Sequence, residues 1–380
     1  MNLSSKTLLS VFVALFGATA TADTAARFDP FETPAEAQKT AFRMSGFLAD
    51  DAISLYQFFR DWHDPLHARK GINIALELFR TDIGYTFKNG WYVGYFFQKE
   101  SVVPANEGMV RGYYAVKNAL VPDQPQTYQL YIGIEGIQRH GVQLSIPYTL
   151  QKKRYRLKIA VSPYISYDTD IQLGSLYGEG TLFPDSTYDA KGNADYYFMH
   201  NYLYDGWDHP VSHGYGYGLH LATRYTYFPY RTTLTLSAND LFAKSHWNRV
   251  ANSQVTIQTQ NSRFDEDGYI HYDPAIAGKE KLVNKTFSLS PSYHADITYC
   301  IDQGSVSIGI DRIYETNIPY IEASRLIDED RSLYLSGSYD FRFDTIELGL
   351  AGKAWHVKVK SNGLSDTSAV GFDIAFKQRF

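Results

Sequence analysis

Apolar and polar residues alternate along most of the chain after residue 70. The clearest run covers residues 153–167, and its odd positions from 155 onward are all apolar or aromatic: Tyr155, Leu157, Ile159, Val161, Pro163, Ile165 and Tyr167. Its even positions are mostly polar or basic. Because successive side chains of a strand point to opposite faces, this run predicts a strand with one apolar face and one wet face.

The same alternation recurs up to the C-terminus, and the connections between the runs differ in length. Asn89-Gly90 is a strong hairpin signal, and other tight turns are expected near 139–141, 151–153, 228–230, 301–304 and 344–345. Long polar loops are expected over 169–213, 241–283, 315–330 and 359–367. Short turns alternating with long loops are typical of a transmembrane β-barrel with one plain rim and one decorated rim.

Aromatic residues collect where the apolar faces end, as Tyr155, Tyr167, Tyr215 and Tyr227 do. An interfacial aromatic girdle has this distribution. A soluble β-sandwich also alternates, but strands of 12–15 residues would be long for that fold. The pattern therefore favours the barrel.

The first 22 residues have the features of a secretory signal peptide. Lys6 supplies positive charge, residues 7–16 are apolar, and Ala20-Thr21-Ala22 is a small-x-small cleavage signal, so the mature chain is expected to begin at Asp23. The alternative is a membrane anchor. The apolar run is shorter than the ~20 residues that a spanning helix needs, which favours cleavage.

The last residues of the chain place four apolar side chains on one parity: Phe372, Ile374, Phe376 and the terminal Phe380. This segment resembles the C-terminal strand of bacterial outer-membrane β-barrel proteins, except that Gln378 stands where an apolar or aromatic residue is usual. The resemblance implies that these four residues are the signal recognised by the barrel-assembly machinery. It also implies insertion in the outer membrane, among its lipids and lipopolysaccharide.

The predicted fold is all-β, an antiparallel transmembrane barrel over residues 71–380. We count 13 alternating segments, and single-chain bacterial barrels have an even number of strands. Twelve strands are therefore expected, or 14 if Arg80-Thr81-Asp82, where the apolar parity switches, is a turn.

Residues 23–70 show no clear alternation and are predicted to form a separate N-terminal segment. Asp50 is a candidate cap for a helix over 51–62, and Asp64-Pro65 would end it. The helix has an apolar face formed by Ala52, Leu55, Tyr56, Phe59 and Trp62. A periplasmic helix under the barrel, a plug inside the lumen and a helix lying in the membrane interface all fit this pattern.

Composition narrows the classes of function. The 36 basic and 41 acidic residues give a net charge of −5, which argues against a nucleic-acid-binding protein. Cys300 is the single cysteine, so neither an intrachain disulfide nor a multi-cysteine zinc site is possible. No cofactor motif is present, and no metal site or cofactor is predicted.

Basic residues recur on the polar parity of neighbouring runs. We expect five of them to line the lumen: Arg154, Arg156, Lys158, Arg224 and Arg231. In a water-filled pore such a surface would concentrate anions. The alternative is that these cations pair with Glu135, Asp340, Glu347 or the N-terminal segment and fill the lumen.

Three other groups of residues are candidate sites. His200, His209, His213 and His220 lie close in sequence with Asp205 and Asp208, but their spacing matches no metal motif. Ser245, His246 and Asn248 would suit a membrane-facing lipid hydrolase, although no hydrolase motif surrounds them. Asp265-Glu266-Asp267-Gly268 falls short of a calcium loop.

Three functions remain open on the sequence. The leading hypothesis is a passive, porin-like channel for small polar or anionic solutes. The alternatives are an outer-membrane enzyme acting on lipid, and a structural or binding barrel that uses its Tyr-rich loops.

Overall fold

The computed structural model describes residues 39–58, 65–185, 187–199, 212–259, 262–264, 270–272, 276–330, 332–363 and 367–379. Two helices are present in this part of the chain, α1 (Leu55–Phe58) and α2 (Glu107–Lys117). The strands are β1 (Lys39–Asp50), β2 (Ile72–Thr86), β3 (Tyr92–Asn106), β4 (Gln126–Gln151), β5 (Tyr155–Leu182), β6 (Tyr188–Phe198), β7 (Gly214–Tyr227), β8 (Thr232–Gln258), β9 (Ser262–Phe264), β10 (Ile270–Tyr272), β11 (Ile276–Ser288), β12 (Ser292–Ile301), β13 (Gly304–Ile313), β14 (Thr316–Asp328), β15 (Leu333–Asp340), β16 (Thr345–Ala351), β17 (Trp355–Ser361) and β18 (Ala369–Arg379).

Fourteen of these strands close into an antiparallel barrel. The ring runs β1-β2-β3-β4-β5-β7-β8-β12-β13-β14-β15-β16-β17-β18, and β18 pairs with β1 through Gly46↔Phe372 and its neighbours. The antiparallel barrel is confirmed. The expected number of 12 strands is wrong, and the alternative of 14 is the one observed.

β4, β5 and β8 are longer than the other strands and rise above the rest of the wall. The second half of β5 pairs with β6, and the second half of β8 pairs with β6 and β11. We call this extension the raised wall. It stands at the rim opposite Lys39 and Arg379, which pair with each other at the short-turn rim.

The raised wall occupies much of what the sequence predicted as the loops 169–213 and 241–283. Those segments hold the ends of β5 and β8 together with β6 and β11. They have no single apolar parity because apolar side chains lie on both faces there. Tyr196 and Phe198 of β6 belong to one buried cluster, and Tyr197 packs against another. The periodic signal therefore disappears while the strand continues. The turn expected at 139–141 is also absent, since β4 continues through it with a bulge between Gln138 and Arg139. The alternation expected along most of the chain after residue 70 is interrupted by α2, which is capped by the side chain of Asn106, an acceptor for the Met109 N–H.

The barrel begins earlier than residue 71. β1 pairs with both β18 and β2 and closes the ring, so residues 39–50 are not part of a separate N-terminal segment. Alternation is hidden in β1 because its inner face changes from the polar Arg43 and Ser45 to the apolar Phe47 and Ala49.

The helix expected over 51–62 is present only as α1 in the described residues. Asp50 does accept hydrogen bonds from the N–H groups of Ala52 and Ile53, at 2.7 and 3.1 Å, but the helix starts later, after Ser54. Residues 59–64 and the signal peptide predicted at 1–22 lie outside the described residues.

The parity switch at Arg80-Thr81-Asp82 is not a turn. β2 runs straight through it and keeps its pairing with β3. The inner face of the strand changes there from Arg80 and Asp82 to Leu78, Leu76 and Ile74. The switch therefore marks the level at which the barrel interior changes from polar to apolar.

A belt of apolar side chains surrounds the barrel on its outer face. On β5 and β7 tyrosines stand at both ends of the belt, and the register pairs Tyr155 with Tyr227 and Tyr167 with Tyr215. Between them Ile165 is 69% exposed. The 12 residue-to-residue steps from Tyr155 to Tyr167 span about 30 Å at ~3.3 Å per residue and ~40° tilt. An apolar belt of this height is far larger than the patches of water-soluble proteins.

Aromatic side chains lie flat against the inner wall where glycine leaves room for them. Tyr92 covers the paired Gly84 and Gly94, and a Cβ at either glycine would overlap its ring. Phe96 covers Gly141 in the same way. These close approaches explain why glycine occupies inward positions of otherwise regular strands.

Candidate functional site in the barrel interior

The inner wall has three levels between the short-turn rim and the raised wall. A basic level comes first, a network of buried ion pairs follows, and an apolar level closes the far end. All three are built from the inward parity of the barrel strands.

The basic level lies on β5 and β7 near the short-turn rim. Lys158 and Arg224 are directly opposite each other in the β5–β7 register, and Arg156 precedes Lys158 by two residues. Their parity is that of Ala160 and Ser162, which are fully buried on the inner wall. We call Arg156, Lys158 and Arg224 the basic arc.

No carboxylate of the described residues lies within 4 Å of Arg156 or Lys158. Arg156 donates to Gln151 at 3.1 Å, and the charged groups that act on Lys158 are Arg224 and Arg156. The acids that were candidate partners are engaged elsewhere. Glu135 accepts from Ser290, Asp340 pairs with Lys360 and Glu347 with Lys358.

The other two predicted lumen residues lie in turns. Arg154 is exposed between β4 and β5, and Arg231 is exposed in a left-handed conformation before β8, where it pairs with Asp302. The alternation that placed them inward does not extend into a turn, where the backbone is no longer a strand.

The middle level contains a polar network across β2, β3 and β4. The Arg80 guanidinium donates to Asp82 at 2.8 and 2.9 Å, to Gln98 at 2.8 Å and to Gln143 at 2.9 Å. Gln98 in turn donates to Glu100 at 2.8 Å. The Nε, Nη1 and Nη2 groups of Arg80 each donate to an acceptor of this network, as a buried cation requires.

A second buried pair joins more distant strands. Arg139 on β4 donates to Asp240 on β8 at 2.7 Å and to the Tyr164 hydroxyl at 2.8 Å, and Tyr164 donates to the same carboxylate. Asp240 reaches this position because two register shifts interrupt the β7–β8 pairing beside it, and its φ is 58°. Strain of this kind persists only where the surrounding contacts hold it.

Ion pairs also line the opposite side of the middle level. His294 lies between Asp311 and Asp296, at 2.7 and 2.9 Å. Arg43 pairs with Asp373 at 2.8 Å.

The apolar level closes the interior towards the raised wall. One contiguous cluster joins β1, β2 and β3 to β13, β14, β18 and the β15–β16 turn: Phe47, Ala49, Ile74, Leu76, Leu78, Val102, Ile313, Ile318, Phe343 and Ala369. We call it the apolar gate. β2 and β13 are seven strands apart in the ring of 14, so this contact crosses the lumen. Phe47 and Phe343 meet edge to face, with their centroids 5.6 Å apart.

The residues of the lipid-hydrolase alternative do not come together. Ser245 is fully buried on the inner face and donates to Asp168, whereas His246 faces outward and bonds Thr286 at 2.8 Å. Neighbouring residues of one strand point to opposite faces, so the Ser245–His246 pair cannot act as nucleophile and base.

The histidine group is also dispersed. His220 is buried and stacked on Tyr164, with centroids 4.8 Å apart, while His213 lies outside beside Tyr167 and Tyr215. His200 and His209 are outside the described residues, as are residues 265–268. Among the residues that are described, no group of three His, Cys, Asp or Glu has the arrangement of a metal site.

Phe372, Ile374 and Phe376 share the outer face of β18, as their parity predicts. Phe372 packs beside Gly46, and Phe376 is 51% exposed. Phe380 lies outside the described residues. Their role as an assembly signal stays a prediction.

Sequence reasoning missed the buried networks. Arg80, Arg139 and Asp240 each break an otherwise apolar or neutral stretch, which is a usable signal for an inward charge. Their partners lie on strands that only the closed ring brings together, and no spacing in the sequence reveals them.

No family model and no curated protein matches the sequence. Among solved structures, a TodX deletion mutant described as a monoaromatic hydrocarbon channel is similar at 12% identity and a TM-score of 0.46, covering 96% of this chain and 97% of that chain. The toluene transporter TodX of P. putida is similar at 10% identity and a TM-score of 0.41, covering 92% and 91%. A Pseudomonas aeruginosa FadL homologue has 10% identity and a TM-score of 0.27, covering 95% and 98%. The fold assignment rests on the strand pairing of this chain itself.

Proposed function

We propose that this protein is a bacterial outer-membrane β-barrel that acts as a channel for small polar or anionic solutes. Its location is supported by the exposed apolar belt with tyrosines at both ends, the signal-peptide pattern and the C-terminal strand motif. Outer-membrane lipid and lipopolysaccharide would surround the belt, and the barrel-assembly machinery would recognise β18.

The basic arc is the observation that carries the proposal. Lys158 faces Arg224 and follows Arg156 by two residues, so these like charges repel one another. No carboxylate of the described residues lies within 4 Å of Arg156 or Lys158. Such an arrangement costs free energy in a purely structural interior. It raises the local concentration of anions when water reaches it from the short-turn rim.

The apolar gate defines the other end of the route. Water leaves narrow apolar constrictions, so the interior in this conformation is closed to ions at the level of Phe47 and Phe343. Conduction requires these side chains to separate. The proposed channel is therefore gated and of low basal conductance.

Proteoliposome swelling tests this function. Proteoliposomes that contain the refolded mature protein are placed in isosmotic solutions of gluconate, of arabinose, or of a cation of similar size. Their swelling rates are compared. We expect the anion to enter faster than the cation, and faster still when Phe47→Ala opens the gate. If neither the wild type nor Phe47→Ala admits any of the three, although both are folded in the membrane, the channel proposal is wrong.

A further inference from the structure

A pocket of about 340 Å³ lies at the rim opposite the chain ends, apart from the basic arc and the buried ion pairs. It is lined by the end of β1 and by residues of the β1–β2, β15–β16 and β17–β18 connections. Its polar lining includes Asp50, Ser54, His67, Asp344 and Ser368. The volume is at the lower end of ligand pockets and suits a small molecule.

Asp50 is the unusual member of this lining. It is 8% exposed, and its Oδ1 accepts from the Ala52 and Ile53 N–H groups. No Lys, Arg or His nitrogen of the described residues lies within 4 Å of its carboxylate, and the only charged group acting on it is Asp51, which repels it. Burial of a carboxylate without a counter-charge is costly.

The adjacent Asp51 carboxylate differs from that of Asp50, because arginines compensate its charge. It pairs with Arg342 and lies 3.4 Å from Arg69 Nε, and its Oδ2 also accepts from the Ile74 N–H. Its side chain is completely buried, yet Oδ1 accepts no hydrogen bond. Burial raises the pKa of Asp51, and the two arginines oppose that rise.

Acidic groups outnumber basic ones among the described residues around the pocket. Asp50, Asp51 and Asp344 are the acids, and Arg69 and Arg342 are the bases. A cationic ligand would offset this excess of acid. Three His, Cys, Asp or Glu residues in a metal-binding arrangement are not found in the described residues, so an organic cation fits better than a metal ion.

We propose that this pocket binds a small organic cation through an ammonium group, with Asp50 as its counter-charge. The Ser54 and Ser368 side chains line the same space and offer hydroxyl groups to the remaining N–H bonds. An ammonium ion needs only one carboxylate and neutral acceptors, which is what the lining provides. The site adjoins the apolar gate, because Phe343 lines the pocket and also belongs to the gate.

Isothermal titration of the refolded mature protein in detergent tests the site. Putrescine is the probe, and 1,4-butanediol is the neutral molecule of the same shape. We expect putrescine to bind and the diol not to bind. Asp50→Asn keeps the Oδ1 acceptor for Ala52 and Ile53 and should lower putrescine affinity at least tenfold.

Asp302→Asn is the matched control, since Asp302 is an exposed carboxylate at the short-turn rim, and this variant should bind putrescine like the wild type. Equal affinity in Asp50→Asn would overturn the proposal. The proposal is also overturned if the wild type does not bind putrescine, or if it binds the diol equally well. This comparison uses the wild type alone, so it decides even if Asp50→Asn does not fold. Neither result bears on conduction, which the swelling assay measures separately.

Discussion

Arg139 and Asp240 form a buried ion pair at 2.7 Å although they lie on β4 and β8, three strands apart in the ring. Both side chains are almost fully buried. Adjacent-strand pairing cannot account for their approach, so the pair fixes how sharply the wall curves through β5 and β7. The double register shift in β8 is the local distortion that permits it.

Asp240→Asn tests that role. Asparagine tolerates the left-handed backbone at this position, so the change removes charge without adding strain. It leaves Arg139 buried without its counter-charge, which should cost about 3–5 kcal/mol of unfolding free energy. Urea unfolding in micelles measures it. Asp302→Asn, which breaks an exposed pair, should leave the midpoint unchanged, and equal midpoints for both variants would contradict the assigned role.

Gly94→Ala should destabilise the barrel through the inner wall. The new methyl group would overlap the Tyr92 ring, which has no free space on the wall, and such overpacking costs about 1–3 kcal/mol. Gly363→Ala is the control, since a Cβ there meets nothing within 4 Å. A thermal melt that shifts equally in both variants would show that the Tyr92–Gly94 contact is unimportant.

Phe47→Ala should open the apolar gate. Removing this ring takes away the edge contact with Phe343 across the lumen, so single-channel conductance should rise in planar bilayers. The same change should cost about 3–5 kcal/mol of stability because it leaves a cavity. Phe42→Ala, on the outer face of the same strand, should leave conductance as it is. A wild-type conductance in Phe47→Ala would place the constriction elsewhere.

Val161→Arg tests the position of the apolar belt. Val161 is exposed on the outer face of β5, midway between Tyr155 and Tyr167, and an arginine at the midplane of a bilayer costs about 2–4 kcal/mol in a barrel. Folding free energy into lipid vesicles measures it. Tyr188→Arg, on the raised wall, should fold as well as the wild type. If both fold equally well, the belt does not face lipid.

The sequence predicts the outer face of this fold far better than its inner face. Period-2 alternation locates β5 and β7 because their outward side chains, such as Ile165, all face the same apolar environment. It fails in β1, where Phe47 and Ala49 make the inner face apolar as well. It also fails in the raised wall, where apolar side chains lie on both faces. The outer face has one polarity along the belt because a single medium surrounds it. The polarity of the inner face changes with height along the barrel axis.

The candidate site is predictable only in part, for a related reason. Arg156, Lys158 and Arg224 were found because they lie inside regular strands, where parity gives the face. Arg154 and Arg231 were misplaced because parity has no meaning in a turn. The apolar gate and the Arg139–Asp240 pair depend on contacts across the ring, which only closure of the barrel brings about.

The reversal potential of the channel in a salt gradient tests the account most directly. The wild type, the Arg156→Gln/Lys158→Gln/Arg224→Gln variant and the Arg154→Gln/Arg231→Gln control are compared in planar bilayers. We predict anion preference in the wild type and the control, and its loss in the triple variant. A channel whose ion preference is the same in all three would show that the basic arc does not select the solute.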